Sequence, residues 1–251
     1  KKKKNIITLF FICLATSLFT VDMGIITISF KEIENYFSTT KSVTSWVLTV
    51  FSISSAIGII SLGFLSKIFG RKKIYTIGVL GFSICSGCCG LSNNIEQLLL
   101  FRFFQGYFGA GLVALSQAFV LDIFSDKNRS KALSAWTFGL LAGPVIGPLL
   151  GGYLVEFFNW RYVFFINFPL GLITFFGLYY YLNDEKINLK VKVNIVSFLF
   201  LSIAVASLQI FLDRGELEGW LDSQIILFLI ILTILSFIFF LVSNFFTKIQ
   251  L

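Results

Sequence analysis

The chain has 251 residues, 57% of them hydrophobic and only 13% charged, with a mean hydropathy of +0.89. That charge content is about half the usual share of soluble domains, which excludes a soluble enzyme and implies a polytopic membrane protein. The net charge is +7, yet loop charges at a membrane face account for it, so no nucleic-acid partner is implied. There is no His, so proton traffic must use carboxylates or water, and no nucleophile–base or metal set supports an enzyme. Cys13, Cys85, Cys88 and Cys89 all fall in apolar runs; with no second pair to answer Cys85-x-x-Cys88 they read as packing, and no cofactor is expected.

A membrane helix needs about 20 apolar residues. Eight such stretches occur in order: 6–30, 43–66, 73–92, 97–122, 132–155, 162–182, 194–212 and 223–246. An even number puts both ends on one side. Of the 20 Lys and Arg, 15 fall on that side and only Lys31, Lys41, Arg161 and Arg214 fall opposite, with Arg102 inside a span. The positive-inside rule makes both ends cytoplasmic. A polar, basic link at about 183–193 divides six spans (1–182) from two (183–251), and the short acidic stretch 213–222 predicts a tight hairpin of spans seven and eight. The chain begins with four Lys, its one Met is Met23, and the expectation is a truncated piece of a longer protein.

Several stretches carry chemistry. Span one holds Asp22, a carboxylate well inside a span, in Val21-Asp22-Met23-Gly24-Ile25-Ile26-Thr27. Between spans two and three lies Gly63-Phe64-Leu65-Ser66-Lys67-Ile68-Phe69-Gly70-Arg71-Lys72-Lys73, where Gly63 and Gly70 permit a tight turn and Arg71 and Lys72 anchor it at the inner face. Span four carries Arg102, Gln105 and Gly106. An intramembrane Arg costs about 2.5–3.5 kcal/mol on insertion scales, so a partner is expected. Asp22 lies roughly 24 Å from the inner edge, and Arg102 roughly 8 Å from the outer edge of a core about 30 Å thick, so the two share a height. A proton-responsive pair is expected, with the guanidinium fork gripping the carboxylate.

Span five reads GLLAGPVIGPLLGG, with Gly139, Gly143, Gly147 and Gly151 on one face, Gly152 beside them, and Pro144 and Pro148 alongside. Small residues let another helix approach, and the stripe reads as a smooth, bendable surface between moving parts. Span six starts with Trp160 and Arg161, followed by Asn167, Pro169 and Gly171.

Together these stretches resemble the major facilitator superfamily, and within it the fourteen-span drug:proton antiporters of the EmrB/QacA type. Span five matches the antiporter signature; the 63–73 stretch matches the cytoplasmic loop motif, with Lys67 and Ile68 in place of the usual Asp and Arg. Leu98, Arg102, Gln105 and Gly106 match the span-four motif. The stretch from Trp160 to Gly171 matches the opening of span six, and Ser207 to Gln224 the hairpin of extra spans. The resemblance covers about residues 15–248 and implies an all-α six-span half with 3+3 repeats plus two extra spans, the C-terminal six-span half being absent. It implies export of amphipathic drugs driven by proton entry, with Asp22 as proton site and Arg102 as counter-charge. It implies a bacterial inner membrane, with a periplasmic adaptor and an outer-membrane channel as partners. A facilitator for another small solute, or a non-transporting remnant or assembly partner, stays open at this level.

Overall fold

The computed structural model describes residues 2–183 and 194–246. Eight helices among them are long and apolar enough to cross a membrane: Lys2–Phe37, Lys41–Phe69, Arg71–Gly90, Ile95–Ile123, Asp126–Phe157, Tyr162–Tyr181, Ile195–Glu218 and Gln224–Phe245. These are spans one to eight, and each overlaps one of the eight stretches expected from hydropathy. The expected linker lies, apart from Asn183, outside the described residues.

Three ends differ from expectation by six residues or more, one of them the start of span five, which begins at Asp126 rather than 132. Span one continues past residue 30 through a 3₁₀ turn at Thr27–Ser29 and a further helix at Phe30–Phe37. Span seven runs on through Asp213 to Glu218, so the turn between spans seven and eight is confined to the residues around Gly219. Hydropathy ends a span at the first charges, but a helix can carry charges past the apolar layer. It stops where Gly219 takes φ +80°, a conformation that glycine adopts without steric cost.

The two membrane faces are marked by polar contacts. At one end Lys4 donates to Asn183, Asn5 to the Ile123 carbonyl, and Arg71 to Asp122. At the other end Arg161 donates to the Gly90 and Ser92 carbonyls, and Arg214 to Ser42. The helices between them pack in a regular pattern. Span one packs on spans five and six, span four packs on spans two and three, and spans three and six face each other. Exchanging one with four, two with five and three with six returns the same set of pairs. This is the contact pattern of two related three-helix units.

Both crossing pairs, one–five and two–four, are glycine contacts. A Cβ on Gly143 would collide with the Thr20 backbone, one on Gly24 would stand 2.7 Å from the Gly143 carbonyl, and one on Gly147 would lie 3.1 Å from the Gly24 backbone. Gly139 and Gly151 meet the Cys13 and Ile25 carbonyls at 3.0 Å in the same sense. In the other pair, Gly106 faces Phe51 and Ser54, and Gly58 faces Tyr107 and Ala110. The span-five stripe is therefore filled by span one of the same bundle rather than left smooth between moving halves. Gly152 does not belong to the seam, because nothing lies within 4 Å of its missing Cβ. The helix runs unbroken through Pro144 and Pro148, which leaves the Leu140 and Pro144 carbonyls without their usual backbone donor.

Apolar side chains fill the bundle in two clusters. One gathers Ile12, Leu18, Phe51, Tyr75, Phe82 and Leu112; the other gathers Ile26, Ile33, Val47, Leu98, Trp160 and Phe164. Asp22 falls in sequence between Leu18 and Ile26, so span one carries its carboxylate across the boundary of the two clusters. Spans seven and eight pair through Ser207 with Thr233, Ser197 with Ser243 and the stacked rings of Phe200 and Phe239. Span seven docks on span two, where Arg214 lies 4.2 Å from the Trp46 ring centre.

The seam predicts a sharp contrast between neighbouring glycines. Gly147→Leu must push span one away and is expected to cost at least the roughly 1–3 kcal/mol of core overpacking. Gly152→Leu, with open space beside it, is expected to stay within about 0.5 kcal/mol of the parent. Thermal unfolding of the purified protein in detergent separates the two.

Candidate functional site

The residues of the site are brought together by local helix geometry. Arg102 and Gln105 are three apart on span four and so share a face. Asn167 opens the helix Asn167–Tyr181, just after the short helix Tyr162–Phe165 and the single residue Ile166. Pro169 explains the interruption: it has no N–H to give the Phe165 carbonyl, and it stands in the first turn of the new helix, where that donor is not needed.

These side chains converge on Asp22. Its Oδ2 accepts from Arg102 Nη1 at 2.6 Å, and its Oδ1 accepts from Gln105 Nε2 at 2.9 Å and Asn167 Nδ2 at 2.8 Å. Gln105 Oε1 in turn accepts from Arg102 Nη1 at 2.9 Å and from the Cys89 thiol at 3.5 Å. Arg102 Nε donates to the Val47 carbonyl at 3.2 Å, and the guanidinium lies 4.1 Å from the centre of the Phe51 ring. Asn167 also donates to Ser86, which donates to the Phe164 carbonyl at 2.9 Å. Asp22, Arg102 and Gln105 are 0% exposed and Asn167 1%, so no bulk water shares these bonds.

A buried charge pair survives only if its geometry is good and its remaining lone pairs and protons are satisfied. Asp22 meets that condition with three N–H donors. Arg102 meets it incompletely, because Nη2 has no hydrogen-bond partner among the described residues. The fork expected to grip the carboxylate does not do so: one nitrogen reaches Asp22, and the other bonds are spent on Gln105 and the span-two backbone. The fork instead ties spans one, two and four at one point.

The remaining expected residues lie in three places. The span-five glycines brace the far side of span one, as described above. At the end of the bundle that carries Arg214, Trp160 is buried against Tyr36 and Phe37, and Arg161 joins Tyr36 Oη (2.8 Å) to the end of span three. Gly171 abuts the Ser83 side chain, where a Cβ would collide. At the opposite end the turn is made by Gly70 at φ +91°, whereas Gly63 sits within the helix Lys41–Phe69 with open space beside it, so only one of the two glycines shapes the turn. Arg71 pairs with Asp122 at 2.7 Å across the end of span four, and the Lys72 ammonium lies 5.6 Å from the Tyr179 ring centre. The loop thus keeps a carboxylate contact although Lys67 replaces the usual Asp.

Sequence reasoning did not reach Ser86, Cys89 or the Val47 carbonyl. Nor did it find a second buried polar cluster, where Trp136 Nε1 lies 2.8 Å from Ser116 Oγ and 3.1 Å from Thr16 Oγ1. Ser, Thr and Cys inside an apolar run look alike from sequence, and only the fold shows which of them meet.

Residues 12–251 match the Major Facilitator Superfamily. The chain belongs to that superfamily of membrane transporters. The Multidrug export protein EmrB of Escherichia coli K12 is 32% identical over 230 residues, covering 91% of this chain and 45% of that protein. The Fatty acid resistance protein FarB of Neisseria gonorrhoeae is 30% identical with the same coverage. The chain therefore spans less than half the length of these curated relatives. In fold it is similar to the POT family transporter PepTSo, with a TM-score of 0.67 at 15% identity over 94% of this chain and 52% of the other. It is also similar to a bacterial homologue of the lysosomal transporter Spinster, with a TM-score of 0.63 at 20% identity over 94% and 61%. The all-helical transporter fold and the likeness to EmrB-type exporters both agree with the sequence reading.

Removing one partner of a fully buried pair is far more costly than removing both. Arg102→Leu is expected to destabilise the bundle by about 3–5 kcal/mol, and the double change Asp22→Asn with Arg102→Leu to recover most of that loss. Chemical unfolding of the detergent-solubilised variants measures both.

Proposed function

We propose that this chain forms the N-terminal half of a proton-driven exporter of amphipathic drugs or toxic compounds in the inner membrane, with both of its ends cytoplasmic. The observation that carries the proposal is Asp22: a fully buried carboxylate on a helix packed through glycine, bonded to Arg102, in a chain without His. A transporter needs a site whose charge can change within the membrane, and buried ionisable groups mark such sites. A proton carried inward across 100 mV releases about 2.3 kcal/mol, enough for one or two to sustain a useful export gradient.

Orientation follows from the basic end. Lys2, Lys3 and Lys4, Arg71, Lys72 and Lys73, and Lys127, Arg129 and Lys131 belong to the same end of the bundle, which the positive-inside rule assigns to the cytoplasm. At that end a cleft of about 580 Å³ is lined by Lys2, Asn5, Ile6, Leu9, Phe124 and Lys131 among others. Its mixed cationic and apolar walls suit an amphipathic molecule arriving from the inner leaflet. The names of the relatives, multidrug export and fatty acid resistance, point to the same substrate class.

Partners are part of the proposal. Glu216, Glu218 and Asp222 are exposed at the opposite end, an acidic surface that a periplasmic adaptor leading to an outer-membrane channel could recognise by charge. Cross-linking followed by affinity purification of the tagged complete protein is expected to recover a singly anchored adaptor; recovery of none makes it a stand-alone exporter.

Asp22→Asn in the complete transporter is expected to insert in the membrane and, compared at equal amounts of inserted protein, to lose proton-driven efflux from inverted vesicles. Arg102→Lys should retain less than half of the wild-type rate, because an ammonium cannot reach Asp22, Gln105 and the Val47 carbonyl together. Normal coupled efflux by Asp22→Asn would sink the proposal.

A further inference from the structure

We infer that Gln105 and Asn167 are positioning residues with different parts: Gln105 holds the ionised form of Asp22, and Asn167 turns over to accept the protonated form. The inference rests on the proton-coupling role of Asp22 and adds how the rest of the bundle registers its charge.

Hydrogen-bond inventory leads there. An ionised carboxylate only accepts, whereas a protonated one carries a donor that must find an acceptor. Around Asp22 every neighbour now donates: two primary amides on Oδ1 and a guanidinium on Oδ2. The titratable neighbours are Arg102, which cannot accept, and the Cys89 thiol of span three, which donates to Gln105. When a proton from the outer compartment forms an O–H bond on Oδ1, that bond points at two N–H groups. A buried donor left without an acceptor is costly. An amide can resolve this by rotating its terminal torsion, which exchanges its oxygen and nitrogen.

The two amides are not equally free to rotate. Reversing Gln105 would withdraw Oε1 from Arg102 and Cys89 and turn its NH₂ group toward the guanidinium. Reversing Asn167 costs far less. Its second contact is the hydroxyl of Ser86, 3.2 Å away, and a hydroxyl can donate as readily as it accepts. After reversal Asn167 Oδ1 accepts from Asp22 O–H and from Ser86, and Ser86 releases the Phe164 carbonyl it now holds at 2.9 Å. That carbonyl lies in the short helix just before the interruption at Ile166. No covalent bond changes other than the new O–H, and the event is delivered to the one place in span six where the helix is already broken.

The test uses the complete transporter in proteoliposomes, with two readouts: uphill substrate accumulation driven by an imposed proton gradient, and substrate counterflow with no gradient. Gln105→Leu, Gln105→Glu, Asn167→Leu and Asn167→Asp are each expected to lose roughly tenfold in uphill accumulation, the worth of a hydrogen bond to a charged group, and to lose markedly less in counterflow. Asp22→Asn is run beside them. If Asp22→Asn still couples, the proton-coupling role itself fails. If Asp22→Asn uncouples while the four amide variants accumulate substrate normally, only the amide inference fails. Parallel loss of accumulation and counterflow in every amide variant that reaches the membrane reduces the pair to a structural role and also overturns it.

Discussion

The constraint on which the bundle depends is the burial of Asp22 beside Arg102. Two charges removed from water must be repaid by close contact and complete hydrogen bonding, and their attraction fades quickly if either moves. Close contact is what the glycines provide. Thr20 and Gly24 of span one meet Gly143 and Gly147 backbone to backbone, which presses span one into the bundle from one side. On the other side it meets span four, itself held against span two by Gly106 and Gly58. The charged pair sits where these two seams converge, and the seams set how accurately its donors are placed.

The exchange symmetry of the contacts gives this arrangement a meaning. Asp22 and Arg102 lie on spans one and four, which correspond to each other in the two three-helix units, so the pair joins one unit to the other. Gln105 belongs to the second unit on span four, Asn167 to its span six, and Ser86 and Cys89 to span three of the first. A change in the charge of Asp22 therefore acts on the boundary between units, where packed elements have discrete alternatives rather than a continuum. The glycine seams one–five and two–four lie on that same boundary, and contacts near 3 Å leave no room for one helix to slide gradually along the other.

Much of this was legible in the sequence, and the reasons for the misses are physical. Span number and approximate position follow from the length of apolar runs, since a bilayer sets one length scale for all of them. Asp22 and Arg102 stood out because charge inside a span needs a cause, and their common height followed from helix rise alone. Which arm of Arg102 goes where did not follow, because Gln105 and the Val47 carbonyl compete for the same nitrogens as Asp22. The spacing of the span-five glycines showed that a helix would lie on them, but not which helix. Gly63 and Gly152 show the limit of motif reading: each occupies a glycine position, yet neither makes a close contact. The continuation of spans one and seven past their first charges was missed because hydropathy measures the apolar layer, not the helix.

The symmetry that organises the centre is broken at the periphery, and the break has a specific cause. Span two and span five correspond under the exchange, yet only span two receives the extra hairpin. Arg214 anchors it there: it donates to the Ser42 hydroxyl and carbonyl and lies over Trp46. An Arg at the edge of the apolar layer is costly unless paired with acceptors and an aromatic face, and span two offers both at the start of its helix. Lower down the contact is apolar, with Phe198 edge-on to Phe64. On span five the side chains Phe138, Leu141, Val145 and Leu149 remain exposed. The hairpin is thus added on span two, outside the symmetric core, and its contacts leave Asp22 and its donors untouched.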